Sequence, residues 1–424
     1  MDTKKNNISR TVADKMCTGC GVCVDVCPVH AIKMSCQKDV NEPEIDNQQC
    51  LGEKCGRCAS VCPGTGCELK NISLSLFSGQ ENERFDIHAG YYQTACVGYS
   101  TDYEIRYHSA SGGGLSQMLL YLLEKKYVDG VVVTAYGEDH ITPRSYIATT
   151  REDVLNARSS KYCPVSLNGV GNEMVRRGGR YVIVGLPCHI QGFRKREQKD
   201  RKFSECVFGY FSIYCSCNRS FAMRDFLFDV YNVDKSMITN FSFRDNGCLG
   251  DMVIDSKGEK SSNHLSVPYV SYYGASRSFF KPHRCLTCID HYGALADVSF
   301  GDIHIKPYSE DKVGINSWII RSNRFENIFE EAVRDGFITM NEVPIDIVNQ
   351  SQCKMLFPKK RRANAAMKLD WLMGRTTPCY DEALPEASLK DYLSVMSCHV
   401  QRFMGRHEIF RPVIKYLYGR KSEK

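Results

Sequence analysis

Two stretches near the start of the chain carry the residues best suited to chemistry. CTGCGVCVDVCP sets Cys17, Cys20 and Cys23 with two residues between neighbours, and Cys27 follows three residues further on, just before Pro28. CLGEKCGRCASVCP repeats the pattern with Cys50, Cys55, Cys58, Cys62 and Pro63, its first gap two residues wider. Three close thiolates and a fourth before proline suit a [4Fe–4S] cube. Zinc is more often held by separated CxxC pairs than by such a run. Gly19, Gly21, Gly56 and Ala59 are small enough to leave room for a cube beside the backbone. A second group of cysteines comes far later: Cys188 in GLPCHIQG, Cys215 in IYCSCNRS, and Cys285 with Cys288 in RCLTCIDHYGALADVSFGD.

These residues must be held by elements that the periodicity of the sequence foretells. The two quartets resemble those of a bacterial-type two-cluster ferredoxin, in which the fourth cysteine crosses to the other cube. That arrangement assigns Cys17, Cys20, Cys23 and Cys62 to one cluster and Cys27, Cys50, Cys55 and Cys58 to a second. The unit, residues 11–72, follows a polar lead (1–10) and has hardly enough aliphatic side chains to close a core alone. A polar linker (73–90) leads to residues 91–345, where the pattern turns α/β. Leu115, Met118, Leu119, Leu122 and Leu123 recur at helical spacing after the turn Ser111-Gly112-Gly113-Gly114. VVVTAY, RYVIVG and VFGYFSIYC read as buried strands, and Met223, Phe226, Leu227, Val230 and Tyr231 mark one face of a helix. In such a fold ligands gather at loops leaving the strand ends, where Cys188 and Cys215 stand.

Four segments then line up in order behind the ferredoxin-like unit: RYHSASGGGLSQMLLYLLEK, ARSSKYCPVS, VIVGLPCHIQGFRK and CLTCIDHYGALADVSFGD. Together they resemble the coenzyme F420 hydrogenase/dehydrogenase beta-subunit family, over roughly residues 11–345. The resemblance implies an FAD enzyme in which a flavin exchanges a hydride with F420 or another small organic substrate while iron–sulfur clusters carry single electrons to a ferredoxin or a partner redox subunit. A flavin converts between those two kinds of chemistry, and the protein binds, orients and tunes it. Ser111, Gly112, Gly113 and Gly114, opening a helix, suit a pyrophosphate, while an ordinary loop is the plainer reading. Ser159, Ser160 and Lys161 could bond the flavin and offset charge on its reduced ring, or form a solvated turn. Cys188, Cys215, Cys285 and Cys288 could converge on a third [4Fe–4S] site beside it, with Cys217 a rival for Cys215, and zinc or unligated thiols the alternatives. Lys161, Asp290 and Asp302 are the candidates for handling a proton, although Asp290, Asp297 and Asp302 suit loop capping and pairing with arginine as well. The chain departs from many relatives at CSCNRS and IHIKP, so F420 itself is not assumed, and it looks like the branch found beside surface-polysaccharide genes. The other class of function is a non-catalytic electron-transfer or docking subunit without flavin.

The totals exclude several classes. With 43% hydrophobic and 25% charged residues in 424, the composition is that of a globular protein. No apolar run approaches a membrane span and the N-terminus lacks the pattern of an export signal, so 22 cysteines point to reduced thiols in the cytoplasm rather than to disulfides. GVGNEM lacks the third glycine of a dinucleotide fingerprint. No zinc-finger or RRM pattern supports nucleic acid. The net charge of +6 is uneven, with 15 Lys and Arg against 7 Asp and Glu between Lys354 and Lys424. This basic helical extension (346–424) carries Leu389, Tyr392, Leu393, Met396, Val400, Phe403 and Met404 on one face. The expectation is that the face packs on the protein's own surface, with peripheral membrane contact or a partner subunit as alternatives.

Overall fold

Aliphatic runs such as GVVVTAY and YVIVG are too apolar to leave either face in water, and they form interior strands of a mixed eight-stranded sheet. The computed structural model describes residues 6–36, 40–258 and 262–422; the first five residues of the polar lead lie outside them. Across the sheet the strands run Ile338–Glu342, Thr94–Ser100, Asn316–Ile320, Val298–Asp302, Val207–Ile213, Tyr181–Gly185, Gly130–Tyr136 and Pro143–Ala148. The four from Val298–Asp302 to Gly130–Tyr136 are mutually parallel, and the flanking pairs are antiparallel. The parallel strands therefore release their loops at one edge, where ligands of α/β sheets collect.

Helices cover both faces. On one, Met118, Leu119 and Leu122 of Gly114–Glu124 share a core with Val131, Val133, Trp318 and Phe329. On the other, Ile190 and Phe193 of Pro187–Glu197 pack with Val132, Ile183 and Tyr210 of the sheet and also with Cys20, Val22 and Val61 of the N-terminal unit. Among the described residues, the small core at this unit holds only Ile8, Cys23, Ile32 and Cys58 at its centre. Its shortage of hydrocarbon is thus met by burying one side in the core of the large sheet. Polar contacts lock the same junction: Asp25, between Cys23 and Cys27, accepts the Gly171 N–H at 3.0 Å and pairs with Arg196 at 3.0 Å, both side chains buried.

A separate three-stranded antiparallel sheet (Ile238–Asp245, Asp251–Lys257, Ser262–Pro268) packs with the helices Phe221–Val230 and Tyr269–Ala275. Met223, Phe226 and Leu227 face that core as their spacing foretells, with Val230 and Tyr231 at its margin. After residue 345 the chain is largely helical, through Lys359–Leu372, Leu389–Arg406 and Arg411–Ser422. Here one expectation fails. Tyr392 and Met404 do pack, but Leu389, Leu393, Met396, Val400 and Phe403 are exposed, Leu389 at 76%. Polar pairs turn the helix instead: Asp391, bonded by Arg361, and Arg402, bonded to the Lys281 carbonyl and His283, face inward with Val395. Among the described residues no helix is long and apolar enough to cross a membrane.

Removing one partner of a buried ion pair strands the other's charge, at a cost of about 3–5 kcal/mol. Arg196 keeps Asp200 at 3.0 Å as a second counter-ion, so Asp25→Ala should lower the unfolding free energy by less than that, about 1–3 kcal/mol from the Gly171 N–H left unpaired, and limited proteolysis should release the N-terminal unit before the large sheet is cut. A denaturant midpoint equal to that of the unaltered protein would show that the junction does not depend on this pair.

Candidate functional site

The cysteine loops owe their shape to glycines at positive φ. Gly19 and Gly21 lie at φ +73° and +84°, and a Cβ at Gly21 would stand 2.6 Å from the Asn168 nitrogen, so the loop presses directly on the neighbouring chain. The Gly19 N–H points at the Cys17 sulfur, 3.3 Å away. Cys17, Cys20 and Cys23 enclose a small void together with Cys62 of the second quartet, walled by Ile8, Thr11, Met34 and Pro43. Burial, then Cys62, raises the Cys20 thiol to about 11. Burial raises Cys58 as well, and Cys55 and Cys27 add to it. The Asn7 amide donates to the Cys50 sulfur at 3.5 Å and that of Asn6 to the Cys55 carbonyl at 3.0 Å, drawing the remaining members of that set under one segment. Cys23 feels Cys20, Cys17 and Cys62 and also Cys58, so the two sets adjoin.

The late cysteines converge too. Cys188 sits in the first turn of Pro187–Glu197, Cys215 follows the strand Val207–Ile213, and Cys285 and Cys288 lie at the turn His283–Thr287. Cys188 is pushed up by burial, then by Cys215, Cys20, Cys288 and Cys285, which places this set next to the Cys17 set. The Asn218 N–H donates to the Cys285 sulfur at 3.4 Å. Cys217 joins as a fifth thiol: against the effect of burial, Arg219, Lys281 and Lys359 bring it down to about 7. Buried thiols that raise one another are costly to ionise without a metal, and binding a metal deprotonates them. Among the described residues no group of three or more His, Cys, Asp or Glu side chains is drawn tightly enough to hold a single metal ion.

From the late thiols a file of aromatic and cationic groups leads away. Arg219 lies 3.6 Å from the Cys217 sulfur and 4.7 Å over the Tyr273 ring; Tyr273 packs on Tyr162 at 4.6 Å and on Tyr269 at 4.9 Å, and Arg244 covers Tyr269 at 4.8 Å. Arg244 then ties together both loops expected to meet a flavin. Its guanidinium pairs with Asp302 at 2.7 Å and donates to the Ala110 carbonyl, and its own carbonyl accepts the Ser159 hydroxyl. No spacing in SFRDNG marks this arginine; only the fold does.

Ser159, Ser160 and Lys161 line a cavity of about 850 Å³ at the end of the strand Gly130–Tyr136, with Tyr136, Arg144 and Arg158 among the other walls. That volume is within the range of small-molecule sites, and its wall sets the cations Arg144 and Arg158 beside the carboxylates of Glu138 and Asp245 and the ring of Tyr136. Ser159 itself sits at φ +71°, an uncommon conformation for a side chain and one that tends to occur at functional loops. Lys161 donates to the carbonyls of Ala157, Arg158 and Ser159 at 2.7, 2.7 and 3.2 Å. Burial lowers it to about 7, with Cys163 acting to raise it and Arg158 to lower it.

The other expected residues are placed differently. Ser111 bonds the Ile315 carbonyl at 2.9 Å, the Gly114 N–H bonds the Asn316 side chain at 2.9 Å, and a Cβ at Gly112 would lie 2.7 Å from the Asn316 nitrogen. The glycine run thus admits close contact with the strand Asn316–Ile320, and Asn316 occupies the helix start where a phosphate was expected; these residues do not line the cavity. Asp290 accepts the Gly293 and Ala294 N–H groups and the Gln191 amide, and Asp297 pairs with Arg194 at 2.9 Å. Burial opposes charge on Asp302, but Arg244 and His304 outweigh it and hold this carboxyl below its usual range. Asp290 and Asp302 are thus engaged as turn cap and counter-ion, whereas Lys161 lines the cavity.

Fold and thiol geometry define an α/β protein with an N-terminal iron–sulfur unit, and residues 16–67 match the family model of the 4Fe-4S dicluster domain. Residues 95–170 and 178–345 match the N-terminal and C-terminal models of the coenzyme F420 hydrogenase/dehydrogenase beta subunit, and the chain belongs to that family. The coenzyme F420 hydrogenase subunit beta of Methanococcus voltae is 29% identical over 264 residues, covering 60% of this chain and 86% of its own. The coenzyme F420-dependent sulfite reductase of Methanocaldococcus jannaschii is 24% identical over 336 residues, 76% of this chain but 46% of its own. A chain in a solved structure of the F420-reducing NiFe hydrogenase complex of Methanosarcina barkeri shares the fold, with a TM-score of 0.55 at 21% identity over 70% of this chain and 98% of that one.

Lys161 has a linkage consequence. Its folded pKa of about 7 lies below the ordinary lysine value of 10.5, so between those values the unfolded chain holds a proton that the folded chain has released. Stability should therefore rise with pH through this window, and Lys161→Met should abolish that contribution. Urea midpoints at pH 7, 8 and 9 check it: the stability difference between the unaltered protein and Lys161→Met should shift in favour of lysine as pH rises, and a constant difference would contradict it.

Proposed function

We propose that this protein is an iron–sulfur flavoprotein oxidoreductase. In this reading Cys17, Cys20, Cys23 and Cys62 hold one [4Fe–4S] cluster, Cys27, Cys50, Cys55 and Cys58 a second, and Cys188, Cys285 and Cys288 a third with Cys215 or Cys217. A flavin bound in the cavity would supply the exchange between two-electron hydride chemistry and one-electron transfer. Ser159, Ser160 and Lys161 would orient it, and Arg144 and Arg158 would offset anionic charge on it or on the substrate. Burial brings Lys161 to about 7, so it is able to hold or release a proton near neutral pH at a wall that His108 and His140 also line.

The observation that carries the reading is the series: Cys58 beside Cys23, Cys20 beside Cys188, and the Arg219 to Arg244 file leading on to the Ser159 loop. The substrate is F420 or another small hydride donor or acceptor, and the single electrons pass to a ferredoxin or a partner redox subunit, as suits a relative of hydrogenase subunits. The alternative, a docking and electron-transfer subunit without flavin, is favoured by one feature: Asn316 already caps the helix start where a pyrophosphate was expected.

Anaerobic purification with iron, acid-labile sulfide and flavin counted per chain tests both. About twelve irons and one flavin are expected; about eight irons with no flavin would favour the alternative. Cys188→Ala should lose about four irons while the flavin and the remaining clusters stay.

A further inference from the structure

Lys359 stands in the basic run PKKRR, fourteen residues past the stretch matched by the family models. Its neighbours behave as surface cations: Lys360 pairs with Glu382, and Arg361 and Arg362 with Asp391. Lys359 turns inward and is only 9% exposed. Its ammonium donates to the Cys215 carbonyl at 3.1 Å and to the Ser216 carbonyl at 3.0 Å. Burial opposes its charge, and the thiols of Cys288, Cys215, Cys217 and Cys285 favour it.

A buried ammonium facing carbonyls is expensive unless negative charge lies close by. The late thiol set supplies that charge only when its sulfurs are ionised, which is the state that binding a metal imposes. A cube with four thiolates carries net negative charge and gains one more on one-electron reduction. A fixed cation beside it favours the reduced form over the oxidised one, and net charge and hydrogen bonding around the sulfurs are among the features that set such potentials.

We propose that Lys359 is the positioning cation of the third iron–sulfur site, raising its reduction potential from a segment beyond the residues that the family models match. The inference rests on the three-cluster reading above, and it makes the C-terminal extension a working part of the electron path. Lys359 touches no substrate; it acts through the cluster that its neighbours would ligate.

The test is a redox titration of the anaerobically purified full chain, followed by EPR, with iron counted on the same samples. Lys359→Gln keeps a donor toward the two carbonyls and removes the charge; Lys359→Arg keeps the charge. With about twelve irons in all three proteins, Lys359→Gln should lower the midpoint of one cluster by about 59 mV or more, a tenfold change in a one-electron equilibrium. The other two midpoints should stay in place, and Lys359→Arg should stay close to the unaltered protein. Three unmoved midpoints would overturn the inference and leave the three-cluster reading intact. Loss of about four irons from Lys359→Gln would overturn it as well, giving Lys359 a part in assembling the site. About eight irons in the unaltered protein would instead sink the three-cluster reading itself.

Discussion

The N-terminal unit cannot bury enough of itself, and the rest of the molecule is arranged around that deficit. With so few aliphatic side chains of its own, it sets Cys20, Val22 and Val61 against Ile190 and Phe193. The helix that carries Ile190 and Phe193 also carries Cys188 in its first turn. Hydrophobic docking and the adjacency of Cys20 to Cys188 are therefore one event, and the thiol sets lie in series because the cores are shared. Asp25 and Arg196 fix the register of that contact.

Charge is handled in the same economical way. Buried cations are aimed at particular atoms: Arg244 at Asp302 and the Ala110 carbonyl, Arg284 at the Pro63 carbonyl and the Tyr380 hydroxyl, Arg402 at His283 and the Lys281 carbonyl. Three of these bonds join the turn that bears Cys285 to other parts of the chain: Arg284 to Pro63 beside the second quartet and to Tyr380, and His283 to Arg402. Asp370 completes the brace by holding the other ring nitrogen of His283 at 2.9 Å. The C-terminal helices thus support the late cysteine loop from behind.

Much of the local structure could be read from periodicity. LSQMLLYLLEKK is a helix from Gly114 to Glu124, and RYVIVG is the strand Tyr181–Gly185, because apolar spacing is a property of a few consecutive residues. The chemistry was harder to place. Glycines at 112 and 113 signal that something comes close, but a missing Cβ does not say whether the neighbour is a phosphate or, as here, Asn316 and Arg106. Arg244 and Lys359 carry no motif, since their partners lie tens to hundreds of residues away. The helix Leu389–Arg406 shows the same limit: its apolar stripe predicts an inward face, yet the partners of Asp391 and Arg402 decide which side turns in, and they cannot be seen from the helix alone.

The widened gap of the second quartet has a consequence for how the molecule meets its surroundings. Leu51, Glu53 and Lys54 lie exposed over that set, with Leu51 at 48%, and Cys50 and Cys55 beneath them are themselves partly exposed. With clusters bound as proposed, a protein partner can come close at that loop, and dissolved oxygen has the same approach to the iron. Docking and corrosion share a door, so a partner seated on the Leu51 loop would also act as a shield.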